Sequence, residues 1–206
     1  MYLKRIMVGM IQTNCYLAGD SDTNECIVID PGDEAEKIAA CAESQGRKIT
    51  AIILTHGHFD HIGAVSYLKS KCAAKVYACL KEKDLLKEPE LNLSVNINRR
   101  MSEAADVYVS EGDIIKEAGI ELKVIETPGH TIGGVCYYCE NDKVLFSGDT
   151  LFEMSVGRTD FPTSSSADLV KSVREKLFKL PDDVLVYPGH GGATDIGFEK
   201  INNMYV

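Results

Sequence analysis

Two rhythms of apolar residues alternate along the chain: short, nearly continuous runs of the kind buried strands make, and helically spaced stretches among charged residues. The first part opens on strands in IMVGMIQTNCYLAG (6–19) and ECIVIDPG (25–32), followed by a helix in EAEKIAACAESQG (34–46), for which Gly46 is a natural C-cap. ITAIILT (49–55) predicts a buried strand and IGAVSYLKSK (62–71) a helix. AKVYAC (74–79) reads as another strand and KEKDLLKE (81–88) as a short helix. PELNLSVNINRR (89–100) reads as an irregular connection that could pass over a pocket. The segment from Asp106 to Leu151 is strand-rich, with turns expected at EGD, EAG and END. A serine-capped amphipathic helix follows in SSSADLVKSVREKLFKL (164–180), then a strand in DVLVYPG (183–189). Two successive sets of strands, each followed by helices and divided by no linker, repeat or low-complexity tract, predict one α/β domain over residues 1–206. Its expected form is four-layered, with the sheets inside and the helices outside.

Composition narrows the partners. A formal charge of −9 argues against broad attraction to nucleic acid or an anionic membrane and favours a small-molecule substrate. The amino terminus lacks a long apolar core followed by a small-residue cleavage site, and no run approaches membrane-spanning length, so a cytoplasmic protein is expected. Seven scattered cysteines fit reduced thiols. The pair in CYYC (136–139) lies in an expected hairpin turning at Glu140, Asn141 and Asp142, and residues three apart on a strand face opposite sides. Core packing therefore explains it better than redox or zinc chemistry. Oligomeric state is left open.

The candidate chemistry sits where strands end. THGHFDHIG (55–63) places His56, His58, Asp60 and His61 between a buried strand and a helix, and imidazole and carboxylate are ligands for zinc and iron. Ligands gather at the carboxyl ends of strands in α/β sheets. His130 in ETPGHTIGG (126–134) and His190 in YPGHGGAT (187–194) each follow a strand and a Pro-Gly turn, and Asp149 follows LFSGD in the same way. A single histidine is most often a packed or surface residue. All five histidines and two aspartates at strand ends predict one metal site.

HGHFDH, with GH at 130, GD at 149 and GH at 190, resembles the metallo-β-lactamase superfamily over nearly the whole chain. The resemblance implies an αββα sandwich with a two-metal centre on its edge. His56, His58 and His130 would hold one metal, Asp60, His61 and His190 the other, and Asp149 would bridge them. Two zinc ions are the first expectation, with iron or manganese as alternatives. Within the superfamily, GDTLFEMSVGRTDFP (148–162) and TNCYL (13–17) resemble the glyoxalase II and persulfide dioxygenase branch. In glyoxalase II a basic side chain at the place of Arg158 grips the carboxylate of the thiol cofactor, a task suited to a guanidinium. An ion pair with Asp160 is the competing reading. Asp160 stands where glyoxalase II has an aromatic residue, and the sequence ends sixteen residues after His190, where glyoxalase II continues into a helical glutathione-binding extension. The match is to the compact glyoxalase-like hydrolases.

The activity implied is hydrolysis of a thioester or other ester by a hydroxide bridging two metals, with Asp60 also orienting it and accepting its proton. Three other readings compete. A mononuclear iron persulfide dioxygenase would use His56, His130 and Asp149. A lactonase or phosphodiesterase would use the same scaffold. A non-catalytic binding module would ordinarily have lost ligands, and none is missing here.

Overall fold

The computed structural model describes all of Met1–Val206. Its first half contains β1 (Tyr2–Val8), β2 (Thr13–Gly19), β3 (Glu25–Ile29), α1 (Ala35–Ser44) and β4 (Lys48–Ile53), followed by α2 (Phe59–Ile62), α3 (Val65–Cys72), β5 (Lys75–Cys79), α4 (Lys83–Lys87) and β6 (Val107–Val109). These six strands form one sheet in sequence order, antiparallel at β1–β3 and parallel from β3 to β6. The second half contains β7 (Ile114–Glu117), β8 (Ile120–Glu126), β9 (Val135–Cys139), β10 (Val144–Gly148), a small hairpin of β11 (Leu151–Phe152) and β12 (Ser155–Val156), α5 (Ser166–Glu175), β13 (Leu185–Pro188), β14 (Thr194–Asp195) and α6 (Ile196–Asn202). Its main sheet runs β14-β13-β10-β9-β8-β7.

The period-two alternation of strand side chains builds the layers. On β2, Tyr16 and Ala18 join the cluster between the sheets, while Cys15 and Leu17 pack outward with Ile38 of α1 and Leu68 of α3. On β9, Tyr137 faces the inter-sheet core and Tyr138 faces outward toward Val173 of α5 and Ile196 near the carboxyl end. Both sheets are thus covered on two faces, as the four-layer expectation requires. Tyr137 and Phe146 are among the largest fully buried side chains, and burial of each is worth roughly 2–3 kcal/mol. The tyrosine hydroxyl stays satisfied by donating to Leu54 O at 2.8 Å. Cys136 and Cys139 fall on opposite faces of β9, and all seven cysteines are free thiols.

Three boundaries differ from the apolar pattern. IMVGMIQTNCYLAG is a hairpin, broken where Gly9 and Gln12 adopt positive φ of 70° and 59°. The helix expected at 62–71 begins earlier, as α2, and is interrupted at Gly63–Ala64. There Gly63 is crowded by Gly32, whose carbonyl oxygen would lie 2.2 Å from an added Cβ. Beyond His190 the chain makes β14 and α6, capped by the Asp195 side chain accepting from Phe198 N–H.

Candidate metal centre

The carboxyl ends of the strands bring the seven expected residues into one basin. The turn after β4 carries His56 and His58 into α2, which supplies Asp60 and His61. His130 comes from the β8–β9 turn, Asp149 from the residue after β10, and His190 from the residue pair after β13. His56, His58, His61 and His130 are buried. Three triads have ligand atoms close enough for a shared cation: His56–His58–His130, Asp60–His61–His190 and His56–His61–Asp149. Asp149 stands between the first two. Its Oδ1 is 3.5 Å from His61 Nε2, and its Oδ2 is 3.6 Å from both His130 Nε2 and His190 Nε2. Asp60 Oδ2 lies 3.3 Å from His61 Nε2 and 3.2 Å from His190 Nε2, and accepts from Thr13 Oγ1 at 3.1 Å.

Protonation follows from these surroundings. Burial and the imidazoles of His61, His58 and His130 hold His56 well below the ordinary histidine value, and burial with His130 alongside lowers His58 to about 3. Both rings are neutral at pH 7 and have lone pairs for a cation. Burial also opposes charge on His61, but Asp60, Asp149 and Asp30 outweigh it and raise its pKa. His190 is raised despite its burial by Asp60 and Asp149. Burial disfavours ionised Asp60, yet the imidazoles of His61 and His190 draw its carboxyl well below the usual range.

A dinuclear metal centre fits this donor set. His56 Nε2, His61 Nε2 and Asp149 Oδ1 are buried atoms without a hydrogen-bond partner, an arrangement that is costly unless a cation satisfies them. Three carboxylates, those of Asp30, Asp60 and Asp149, converge on the His61 imidazole, an anionic surrounding that suits a cation.

Outside the candidate ligands, several contacts fix their orientation. Asp30, at the end of β3, accepts from His61 Nδ1 at 3.0 Å and from Thr55 N and Oγ1 at 2.8 and 2.6 Å. Glu82, 1% exposed, accepts from Gly57 N at 2.7 Å and Gly133 N at 2.8 Å, tying the His56–His58 loop to the His130 loop. His130 Nδ1 donates to Arg158 O at 2.8 Å, which turns Nε2 toward Asp149. Asn14 donates to Pro188 O and Gly191 O at 2.9 and 3.1 Å, and Tyr16 donates to Pro188 O at 2.6 Å, securing the turn that carries His190. Gly189 has no room for a side chain: a Cβ would lie 2.2 Å from Asp149 Oδ1.

Asp30 and Glu82 escaped the sequence reading. The signal for Asp30 was available in IDPG, an acid closing a buried strand as Asp149 does. Glu82 lies in a run of charges and carries no such signal. Arg158 meets the basin through its backbone. Its guanidinium makes a two-pronged pair with Asp160 at 2.9 and 2.7 Å and stacks over Phe161, 4.4 Å from the ring centroid. The expected 89–100 connection borders the site, with Leu93 and Asn96 lining the cleft beside His58, His130 and Asp149. No helix is long and apolar enough to cross a membrane.

Comparison with known proteins agrees with this geometry. The profile of the metallo-beta-lactamase superfamily matches residues 8–190. Hydroxyacylglutathione hydrolase GloC of Haemophilus influenzae is 35% identical over 209 aligned residues, covering 100% of this chain and 98% of that protein. Among solved structures, the BLEG-1 B3 metallo-beta-lactamase superposes with a TM-score of 0.94 at 37% identity, covering 99% of both chains. TTHA1623 in a di-iron-bound form gives 0.88 at 33% identity, covering 98% of this chain and 100% of that one. The chain belongs to the metallo-β-lactamase superfamily. Within it, the paired His/Asp triads mark a metallo-hydrolase.

Proposed function

We propose that this chain hydrolyses thioesters at a dinuclear zinc centre, in the manner of the compact glyoxalase II-like enzymes. The observation that carries the reading is the position of Asp149, one oxygen toward His61 and the other toward His130 and His190, where one carboxylate serves two triads. In this assignment His56, His58 and His130 hold the first ion, and Asp60, His61 and His190 hold the second. Bound zinc ions supply Lewis acidity and bring the pKa of a water toward neutrality. Iron is the alternative the same donors allow, and the di-iron form of TTHA1623 supports it.

The protein residues supply positioning and proton transfer. Asp60 Oδ2 accepts from the Thr13 hydroxyl at 3.1 Å, faces His61 and His190, and in this reading would take up the proton lost from the nucleophile. Phe161 packs edge-on against His58 and His130, with centroids 5.4 and 5.9 Å apart, and lines the same cleft as Ile11, Leu93 and Phe152. That apolar wall suits the hydrocarbon part of a substrate and excludes water from the rings. A thiolate departs without strong acid assistance, which matches a basin with no separate general acid. The 35% identity to a hydroxyacylglutathione hydrolase supports the substrate class.

The test is a panel of thioester, lactone, phosphodiester and persulfide substrates with metal-replete protein and Asp60→Asn. Thioester hydrolysis should dominate, and the substitution should lower kcat by about 100-fold or more while shifting Tm little. A lactone or phosphodiester turned over with the higher kcat/KM, or oxygen consumption with a persulfide, would replace this assignment.

A further inference from the structure

The cleft has a second compartment. A cavity of about 370 Å³ adjoins the metal basin across Ile11, Phe59 and Asp60, which line both spaces. Its far side is formed by the β1–β2 hairpin tip, with Met10 89% and Ile11 50% exposed, and by Ile97, Arg99 and Met101 from the long connection after α4. The hairpin and the connection therefore line one cavity, which shares Asp60 with the metal basin. The connection is anchored rather than loose. Buried Asn92 donates to Met101 O at 2.9 Å, Ser94 Oγ accepts from Met101 N–H at 2.9 Å, and Phe59 N–H donates to Asn92 O at 2.8 Å.

Two guanidiniums border the cleft, and they differ in availability. Arg158, in the basin compartment, is occupied by Asp160 on both prongs. Adjacent to Arg99, Arg100 is paired with Glu90 at 2.8 Å. The Arg99 side chain has no carboxylate or carbonyl partner. Only its backbone N–H is engaged, with Ser94 O at 3.0 Å. Asp33 on the same cavity already accepts from Glu34 N–H through Oδ1. Arg99 lines the cavity together with the apolar Met10, Ile11, Ile97 and Met101 and the acidic Asp33 and Asp60, and its uncommitted guanidinium is a two-pronged donor there.

We propose that this second cavity is a recognition subsite for a substrate carboxylate, with Arg99 as its anchor and the apolar residues of the cavity holding the chain between that carboxylate and the reacting carbonyl. The inference rests on the thioester reading for the identity of the reacting group and assigns the charged arm to Arg99 rather than Arg158. The carboxylate belongs either to the thiol arm or to the acyl arm of the substrate.

The experiment compares Arg99→Gln, Arg99→Lys and Arg158→Gln on matched thioesters carrying a carboxylate on the thiol arm, on the acyl arm, or as the neutral methyl ester of each. Arg99→Gln should raise KM for one anionic substrate by about 10-fold, with kcat and the neutral substrates nearly unchanged. Arg99→Lys should recover part of the loss, and Arg158→Gln should leave the discrimination intact. The arm affected identifies the source of the carboxylate. Binding of hexanoate against hexanol gives a readout that needs no turnover: Arg99→Gln should weaken hexanoate by about 10-fold and leave hexanol alone. Hexanoate discrimination without thioester hydrolysis would retain the subsite and remove the thioester assignment. Thioester hydrolysis with equal effects on anionic and neutral substrates, or loss of discrimination in Arg158→Gln instead, would remove the subsite.

Discussion

Asp30 Oδ2 stands 3.0 Å from Nδ1 of His61, which orients that ring with Nε2 facing Asp60 and Asp149. Contacts of this kind typically govern metal affinity by 10- to 100-fold. Asp30→Asn should therefore weaken binding of the second metal by about that factor in a buffered-metal titration, with the first site affected less. Equal weakening of both sites would show that Asp30 acts through the fold and not through His61.

Glu82 joins the two loops that carry His56, His58 and His130, distant in sequence, through one oxygen on Gly57 N–H and the other on Gly133 N–H. Removing the carboxylate leaves both buried donors without acceptors, at about 1–3 kcal/mol each. Glu82→Ala should lower Tm by about 10 °C, and Glu82→Gln, which retains one acceptor oxygen, by less. A thermal scan of the metal-free proteins measures this directly. Unchanged Tm in the alanine variant would mean that water replaces the carboxylate.

The pH dependence of metal-free protein separates the histidines. His58 titrates at about 3 in the fold, against about 6.5 unfolded. The unfolded chain takes the proton first, so the stability associated with neutral His58 is complete above pH 6.5 and is lost as pH falls toward 3. His61 and His190 are raised, so their contribution is complete below pH 6.5 and is lost as pH rises through their folded values. His58→Gln isolates the first effect. Between pH 6.5 and 4.5 the variant should lose less Tm than the parent, and parallel curves would contradict the neutral assignment of His58.

Much of the architecture was legible because burial on both faces leaves strands as unbroken apolar runs, as in ITAIILT, and because Gly and Pro mark their ends. The candidate metal ligands were legible for a related reason: the segments that carry them follow such strands. Chain direction at the hairpin tip was not, since the reversal depends on positive φ at Gly9 and Gln12 within an otherwise apolar stretch. Glu82 was hidden because its neighbours are charged, and only the two N–H groups delivered from distant loops make a buried carboxylate tolerable there. Arg158 shows a further limit. The motif located it beside the site, but the partner on its guanidinium is set by local geometry with Asp160.

Metal stoichiometry tests the dinuclear assignment most directly. Protein purified metal-free, reconstituted with zinc and freed of excess should carry two ions per chain by elemental analysis. Asp149→Ala should reduce occupancy at both sites, because one carboxylate faces both triads. A single ion per chain at saturation, above all a single iron in protein that turns over persulfide, would contradict the two-metal hydrolase.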